Sequence, residues 1–210
     1  MNYTELKDNI KDICENEFTD DQLAMFTEQA EQKIYNSVQI PALRRNMTGT
    51  LTTGNKYLTL PADYLYTYSL AVIDTTGEYI YLLNKDVNFI REAYPYPAVS
   101  GTPKHYGNFD DNTLILGPTP DDTFTVELHF GYYPESIVTA GSTWLGDKFD
   151  SALLNGALVE AIRFMKGEQD MVDLYTKLYL QSLALLKTLG DGKLRQDAYR
   201  SGQFRTEVTG

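Results

Sequence analysis

His105 and His129 are the first residues to weigh for chemistry, since imidazole is both a common general base and the commonest metal ligand. Glu127 and His129 stand two apart in an alternating segment and so share one strand face, as two metal ligands could; a solvated strand face is the simpler account. The spacing of the two histidines builds no zinc site. Asp110-Asp111-Asn112 lacks the alternating oxygen ligands and distal glutamate of a calcium loop and reads as a tight turn. Among the acidic pairs, Asp121-Asp122 are adjacent and rarely face one substrate. Asp20-Asp21 stand where a helix dipole favours carboxylates. Ser142 and Ser151 lack a G-x-S-x-G setting, and neither G-x-x-x-x-G-K-[ST] nor G-x-G-x-x-G is present. Cys14 is the single cysteine, which excludes a disulfide within the chain. It lies beside Ile10 and Ile13 on the apolar side of a predicted helix and reads as a small buried hydrophobe. These residues predict no catalytic centre, no metal and no cofactor. The chemistry they leave is binding.

Two features suit binding. Arg44-Arg45, just after Pro41, could hold a neighbour's carboxylates or lie solvated in a loop. Trp144, the one tryptophan, stands before a helix and either packs on it or anchors an interface. The 16 tyrosines fit interfaces that stay partly wet, or simply a strand-rich chain. With 18 basic and 29 acidic residues the formal charge is −11, which argues against a nucleic-acid-binding groove. The same balance suits a soluble protein, or an acidic wall that lets DNA slide past. Met1 to Glu5 shows no secretory pattern, and no apolar run approaches the about 20 residues that span a bilayer. A soluble protein made in the cytoplasm, without a membrane partner, is expected.

The elements that carry these residues follow from periodicity. Tyr3, Leu6, Ile10, Ile13 and Cys14 keep helical spacing. A second helix opens at a Thr19/Gln22 capping box, with Phe18 placed as a staple to Leu23, continues through Phe26, Ala30 and Ile34, and stops before Pro41. From about residue 48 the period becomes two. Thr50 to Leu60 reads as a hairpin turning at Gly54-Asn55, Leu65–Ile73 and Tyr79–Leu83 as strands joined at Asp74-Gly77, and Asp86–Ala93 as a short helix. Thr113–Leu116 and Phe124–Phe130 are further strands, and the whole middle reads as antiparallel because its connections are short. Phe149 to Met165 and Met171 to Leu189 are two apolar-striped helices broken at Lys166-Gly167-Glu168, and so antiparallel. In the second helix, Met171, Tyr175, Leu178, Tyr179, Ser182, Leu185 and Leu186 are expected to form one stripe.

The chain therefore reads as α+β, with four parts. An N-terminal helical hairpin (1–47) and a C-terminal helix pair (147–189) would form one bundle, interrupted by an antiparallel β-rich insertion (48–146) and followed by an extended C-terminal arm (190–210). Gly190-Asp191-Gly192 is expected to end the last helix. With four basic residues against three acidic, 191–210 carry +1 while the rest of the chain carries −12. Leu194, Tyr199 and Phe204 recur every five residues among Arg195, Arg200 and Arg205, the pattern of an arm that orders on a partner. A frayed terminus is the plainer alternative.

In this order of parts the chain resembles the head-to-tail adaptor (connector) proteins that join portal to tail in short-tailed and related bacteriophages. The likeness rests on Val38 to Arg45 closing the helical hairpin. Next comes Tyr57-Leu58-Thr59-Leu60-Pro61-Ala62-Asp63-Tyr64-Leu65, similar to a Y-x-x-L-P-x-D-[FY]-L strand exit. Gly101 to Tyr106, Leu114 to Asp121 and the helix Ala152 to Ala161 complete the set. It spans about residues 20–185, each match weak alone and the ordered set more specific.

The resemblance implies a virion structural protein at the head–tail junction and no enzyme. It implies a ring of its own copies, commonly a dodecamer, docked under the portal protein, with helices as ring body and the β-rich part toward tail (nozzle or tube) proteins. Double-stranded DNA would pass through the channel without sequence-specific binding. The arm residues Leu194, Arg195, Tyr199, Arg200, Phe204 and Arg205 would reach along a portal subunit, and Arg44, Arg45 and Trp144 are the candidate ring contacts. Another virion ring, such as a head-completion or tail-terminator protein, is the alternative. A hydrolase using carboxylates gathered by the fold is a third reading.

Overall fold

A computed structural model describes residues 1–96 and 98–195, with side chains described to residue 190. It is a mixed α+β structure with two compact units, one of Met1–Leu43 and the chain from Pro134 onward, the other of Arg44–Tyr133.

In the helical unit, α1 (Tyr3–Cys14) opens with a capping box between Asn2 and Glu5, and α2 (Asp20–Ser37) with the expected box between Thr19 and Gln22. Each box satisfies two backbone N–H groups that the first turn leaves unpaired. A 3-10 turn at Pro41–Leu43 follows. Leu6, Ile10, Leu23, Phe26 and Ile34 recur at helical spacing and are fully buried with Leu153, Ala157 and Leu186 of the later helices. The central helix of that group is α6 (Asp150–Phe164), which packs on α1, α2 and α7 (Gln169–Arg195). Lys166, at φ +54°, turns the chain so that α7 runs back along α6, placing Gly156 against Tyr179 and Asn155 against Ser182.

The β unit holds two four-stranded sheets. One has the order β1 (Arg44–Thr50), β8 (Thr125–Tyr132), β3 (Tyr64–Ile73), β4 (Tyr79–Tyr81), all antiparallel. The other has β2 (Tyr57–Thr59), β7 (Thr113–Gly117), β6 (His105–Asp110), β5 (Leu83–Asn84). Leu70, Val72, Val126, Leu128 and Phe130 from the first sheet and Leu114, Leu116 and Tyr106 from the second share one core. Strand alternation supplies this directly, because every second residue of β8 is buried.

Several expectations are corrected. Residues 50–60 are not a hairpin: the turn at Thr52–Asn55 is present, but β1 pairs with β8 and β2 with β7, so its two arms enter different sheets. The insertion is not wholly antiparallel either. Short helix α3 (Val87–Ala93) carries the chain from β5 to β6, which pair in parallel. Residues assigned to the end of the β-rich insertion are helical, as α4 (Ile137–Ala140) and α5 (Trp144–Lys148). Finally, Gly190 does not end the last helix, since α7 continues to Arg195. A Cβ at Gly190 would come within 2.7 Å of the Gln39 carbonyl oxygen and 2.8 Å of Ile40 Cγ2. Glycine stands there because Gln39 and Ile40, just before the 3-10 turn, come too close for any side chain.

Candidate docking surfaces

The possible reaction groups are each held in local structure. His129 shares a sheet face with Glu127, as alternation predicts, but the Tyr68 ring lies against it with centroids 5.2 Å apart, and Glu127 faces the Tyr79 hydroxyl at 3.4 Å. His105 Nδ1 lies 2.9 Å from the Tyr94 hydroxyl with Phe89 edge-on. Asp110 accepts from the Asn112 backbone N–H at 2.9 Å, which closes the turn. Ser142 donates to Asp147 at 3.1 Å. Burial pushes the Cys14 thiol above its ordinary range, and the residue is half-buried at the edge of the helical core, not enclosed by it. A thiol in that state is a poor nucleophile. No group of three or more His, Cys, Asp or Glu side chains among the described residues could hold a metal ion.

Arg44 and Arg45 lie side by side on β1 but point to opposite faces of the sheet. The Arg44 guanidinium sits 4.2 Å over the Tyr68 ring, and its Nε is buried without a hydrogen-bond partner. Arg45 is engaged within the chain, its Nη1 2.6 Å from Asp63 Oδ2 and its guanidinium over Tyr132. Trp144 belongs to the helical unit and stacks on Phe149 at 6.2 Å. Leu194 and Arg195 fall on α7 without described side chains, and Tyr199, Arg200, Phe204 and Arg205 lie outside the described residues.

Two surfaces escaped the sequence reading. The first is the outer face of the β1-β8-β3-β4 sheet. Tyr66 and Tyr68 on β3 and Tyr79 and Tyr81 on β4 stand on it with His129, and Tyr81 is 63% exposed. Register shifts at Tyr64/Tyr66 and Thr67/Ser69 bring Tyr66 and Tyr68 to that one face. The Tyr66 ring covers Gly131, where a Cβ would come within 2.6 Å of it. Its hydroxyl meets that of Tyr68 at 3.1 Å, and this hydrogen bond, with burial, pushes the Tyr66 phenol up to about 12. The i, i+2 spacing of these tyrosines is the signal that could have marked the face.

The second surface is on α7, which has an exposed apolar row beside its core-facing one, with exposed Leu180 on neither. Tyr175, Tyr179, Ser182 and Leu186 turn toward the core; Met171, Leu174, Leu178, Leu185 and Leu189 are exposed.

One buried carboxylate serves the fold. Glu31 on α2, 3% exposed, accepts from the Ile137 backbone N–H at 3.0 Å and from Ser136, tying α2 to the start of α4. Desolvation is the largest cause raising its pKa, with the Ser136 and Ile137 hydrogen bonds opposing. A folded-state value above the unfolded one means the folded protein holds the proton longer. Stability is then lost as pH rises from the ordinary glutamate value through the raised one. Glu31→Gln keeps an acceptor without the charge, so it should flatten that loss and leave neutral-pH stability unchanged or higher. Glu31→Ala should cost about 2 kcal/mol by stranding the Ile137 N–H. Urea denaturation between pH 4 and 8 reads both; a Gln variant as weak as the Ala variant would contradict the account.

The described residues thus define a class: a mixed α+β protein with organised external faces and side chains committed to packing and turns. The model of the SU10 adaptor protein family matches residues 1–206, and the chain belongs to that family, a family of phage adaptors. It is accordingly a virion component, and no helix among the described residues is long and apolar enough to cross a membrane. Comparison with curated proteins returned no match.

Proposed function

We propose that this chain is the head-to-tail adaptor of a tailed phage, assembling as a closed ring, a dodecamer, beneath the portal. The observation that carries this reading is the family match through nearly the whole chain. In this role the helices of the two chain ends act as one bundle and form the ring body, while the β unit offers the platform for tail proteins. Residues 190–210 form the portal-binding arm, through Leu194, Arg195, Tyr199, Arg200, Phe204 and Arg205. Arg44 and Trp144 contribute ring contacts; Arg45 does so only by exchanging its Asp63 partner. The net charge of −11 supports a channel that DNA passes without being held. The adaptor acts by binding, and no step of catalysis is assigned to it.

The test mixes the chain with the portal ring of the same phage and images the purified complex by electron microscopy. A truncation after Arg195 runs beside it, because that end point leaves α7 whole. The full chain is expected to decorate the portal as a closed ring, and the truncation to bind at least tenfold more weakly. Equal binding by both refutes a portal-binding role for residues 196–210; no binding by either refutes the adaptor role.

A further inference from the structure

We infer that β1 of one copy pairs, antiparallel, with β4 of the next, so that the β1-β8-β3-β4 sheet runs on from copy to copy; the inference rests on the ring reading and names two edges that would close it. Hydrogen-bond parity shows what those edges offer. The Leu51 N–H donates to the Phe124 carbonyl at 2.8 Å, and these residues stand directly opposite when the β1–β8 register is extended by one. Opposite residues that share hydrogen bonds recur at every second position. Arg45, Met47 and Gly49 therefore bond to β8, while the N–H and C=O groups of Arg44, Asn46, Thr48 and Thr50 point to the open side. At the other edge the Leu82 N–H donates to the Leu70 carbonyl at 2.9 Å, so Ile80 bonds to β3 while Tyr79 and Tyr81 point their backbone groups outward. None of these outward groups has a backbone partner among the described residues.

Such edges invite another strand, and sheets blunt them with proline, bulges, charges or short length. Strand β1 has seven residues in unbroken register, no proline, and charge only at Arg44 and Arg45; all but Arg44 are exposed. The second sheet treats its edge differently. Strand β2 has three residues, and the Asn55 side chain accepts from the Tyr57 N–H at 3.0 Å.

Strand direction and side-chain chemistry choose a second copy as the occupant. The four strands alternate in direction, so β1 and β4 run oppositely. Copies related by rotation about an axis along the strands would bring β4 to β1 antiparallel, the sense in which both already pair. Each edge also leaves a core-face side chain partly open. Met47, opposite Leu128, is 38% exposed, and Ile80, opposite Val72, is half-buried. Setting Ile80 opposite Met47 joins these apolar flanks. The same register sets Tyr79 opposite Thr48 and Tyr81 opposite Asn46, each pair bonding through its outward backbone groups. Arg44 then lies diagonal to the Tyr81 ring, and Glu78 falls opposite Gly49, so no like charges meet. Pairing β1 with another β1 would give a twofold dimer and leave β4 open. The head-to-tail contact uses both edges of every copy, which is what a closing ring requires.

The experiment reads this pairing with cysteines placed in the full chain carrying Cys14→Ser. Residues 47 and 80 would form a non-hydrogen-bonded pair, about 4.5 Å apart at Cα, a separation that a disulfide spans. Met47→Cys and Ile80→Cys chains are oxidised separately and mixed, with and without the portal ring, and the disulfides are mapped by mass spectrometry. Disulfides from 47 to 80 between copies are expected in the mixture, and no dimer from either chain alone. Thr48→Pro removes one outward N–H, a change that an edge strand tolerates, so it should keep the melting curve and lower ring yield at least about tenfold. Thr48→Val, which keeps the N–H, should assemble normally. Dimers linked 47 to 47 overturn the inference, as do normal rings from Thr48→Pro. If rings form on the portal without 47–80 disulfides, this pairing fails and the adaptor reading stands. Copy-to-copy 47–80 disulfides without portal binding would support the pairing and overturn the adaptor reading.

Discussion

Phe130→Ala is expected to destabilise the β unit by about 4 kcal/mol, the usual cost of truncating a buried phenylalanine. Phe130 has no exposed surface and sits on β8, the strand that β1 and β3 both pair with. Its ring packs against Tyr64 at 6.0 Å and Tyr132 at 6.4 Å, so truncation removes apolar area and two aromatic contacts together. Phe130→Leu, which keeps most of the volume, should cost about 1 kcal/mol. Guanidinium denaturation measures the difference. Hydrogen exchange should show protection lost across β1, β3 and β8. A loss for the alanine variant no larger than for the leucine variant would show that this core tolerates a cavity better than its packing suggests.

Gly156→Leu should cost the helical unit about 3 kcal/mol or more by overpacking. Ala30 lies on one side of Gly156 and the Tyr179 ring on the other, so a branched side chain must push α2 or α7 away from α6. Alanine is a different case. Its methyl would stand 3.1 Å from Ala30 Cβ and 3.2 Å from the Tyr179 ring, a tight fit relieved by small shifts, and helix propensity returns about 1 kcal/mol. Gly156→Ala should therefore be near neutral and Gly156→Leu severe. If thermal unfolding finds both variants equally tolerated, α2 and α7 do not close on α6 as tightly as these distances state.

Legibility in the sequence followed the range of each interaction. The Thr19–Gln22 box, the alternation of β8, the turn at Asp74–Gly77 and the break at Lys166-Gly167-Glu168 are each decided within about five residues, and all are present. The arms of residues 50–60 read locally as a hairpin because the turn is real. Their strand partners lie more than 50 residues away, where no local signal reaches. Gly190 is the same lesson in a helix. It carries the composition of a helix end, yet what places it there is the Gln39 backbone and the Ile40 side chain, some 150 residues earlier in the chain. Among the candidate site residues, sequence placed Arg44 and Arg45 together, and pairing decided the rest. Adjacent residues of a strand face opposite ways, so one stacks on Tyr68 and the other binds Asp63.

What the sequence by itself determined is the α+β class, the helical ends around a β-rich middle, and the family, because periodicities of 3.6 and 2 and a fixed order of short motifs survive without knowledge of contacts. Only the tertiary structure decided which faces remain open. Periodicity shows that α7 is apolar on more than one side, but not which side α6 covers. It shows tyrosines two apart in β3 and β4, but not that the pairing of β3 with β8 and β4 gathers them on one surface. A surface is defined by what does not pack against it, and that depends on every other element of the unit at once.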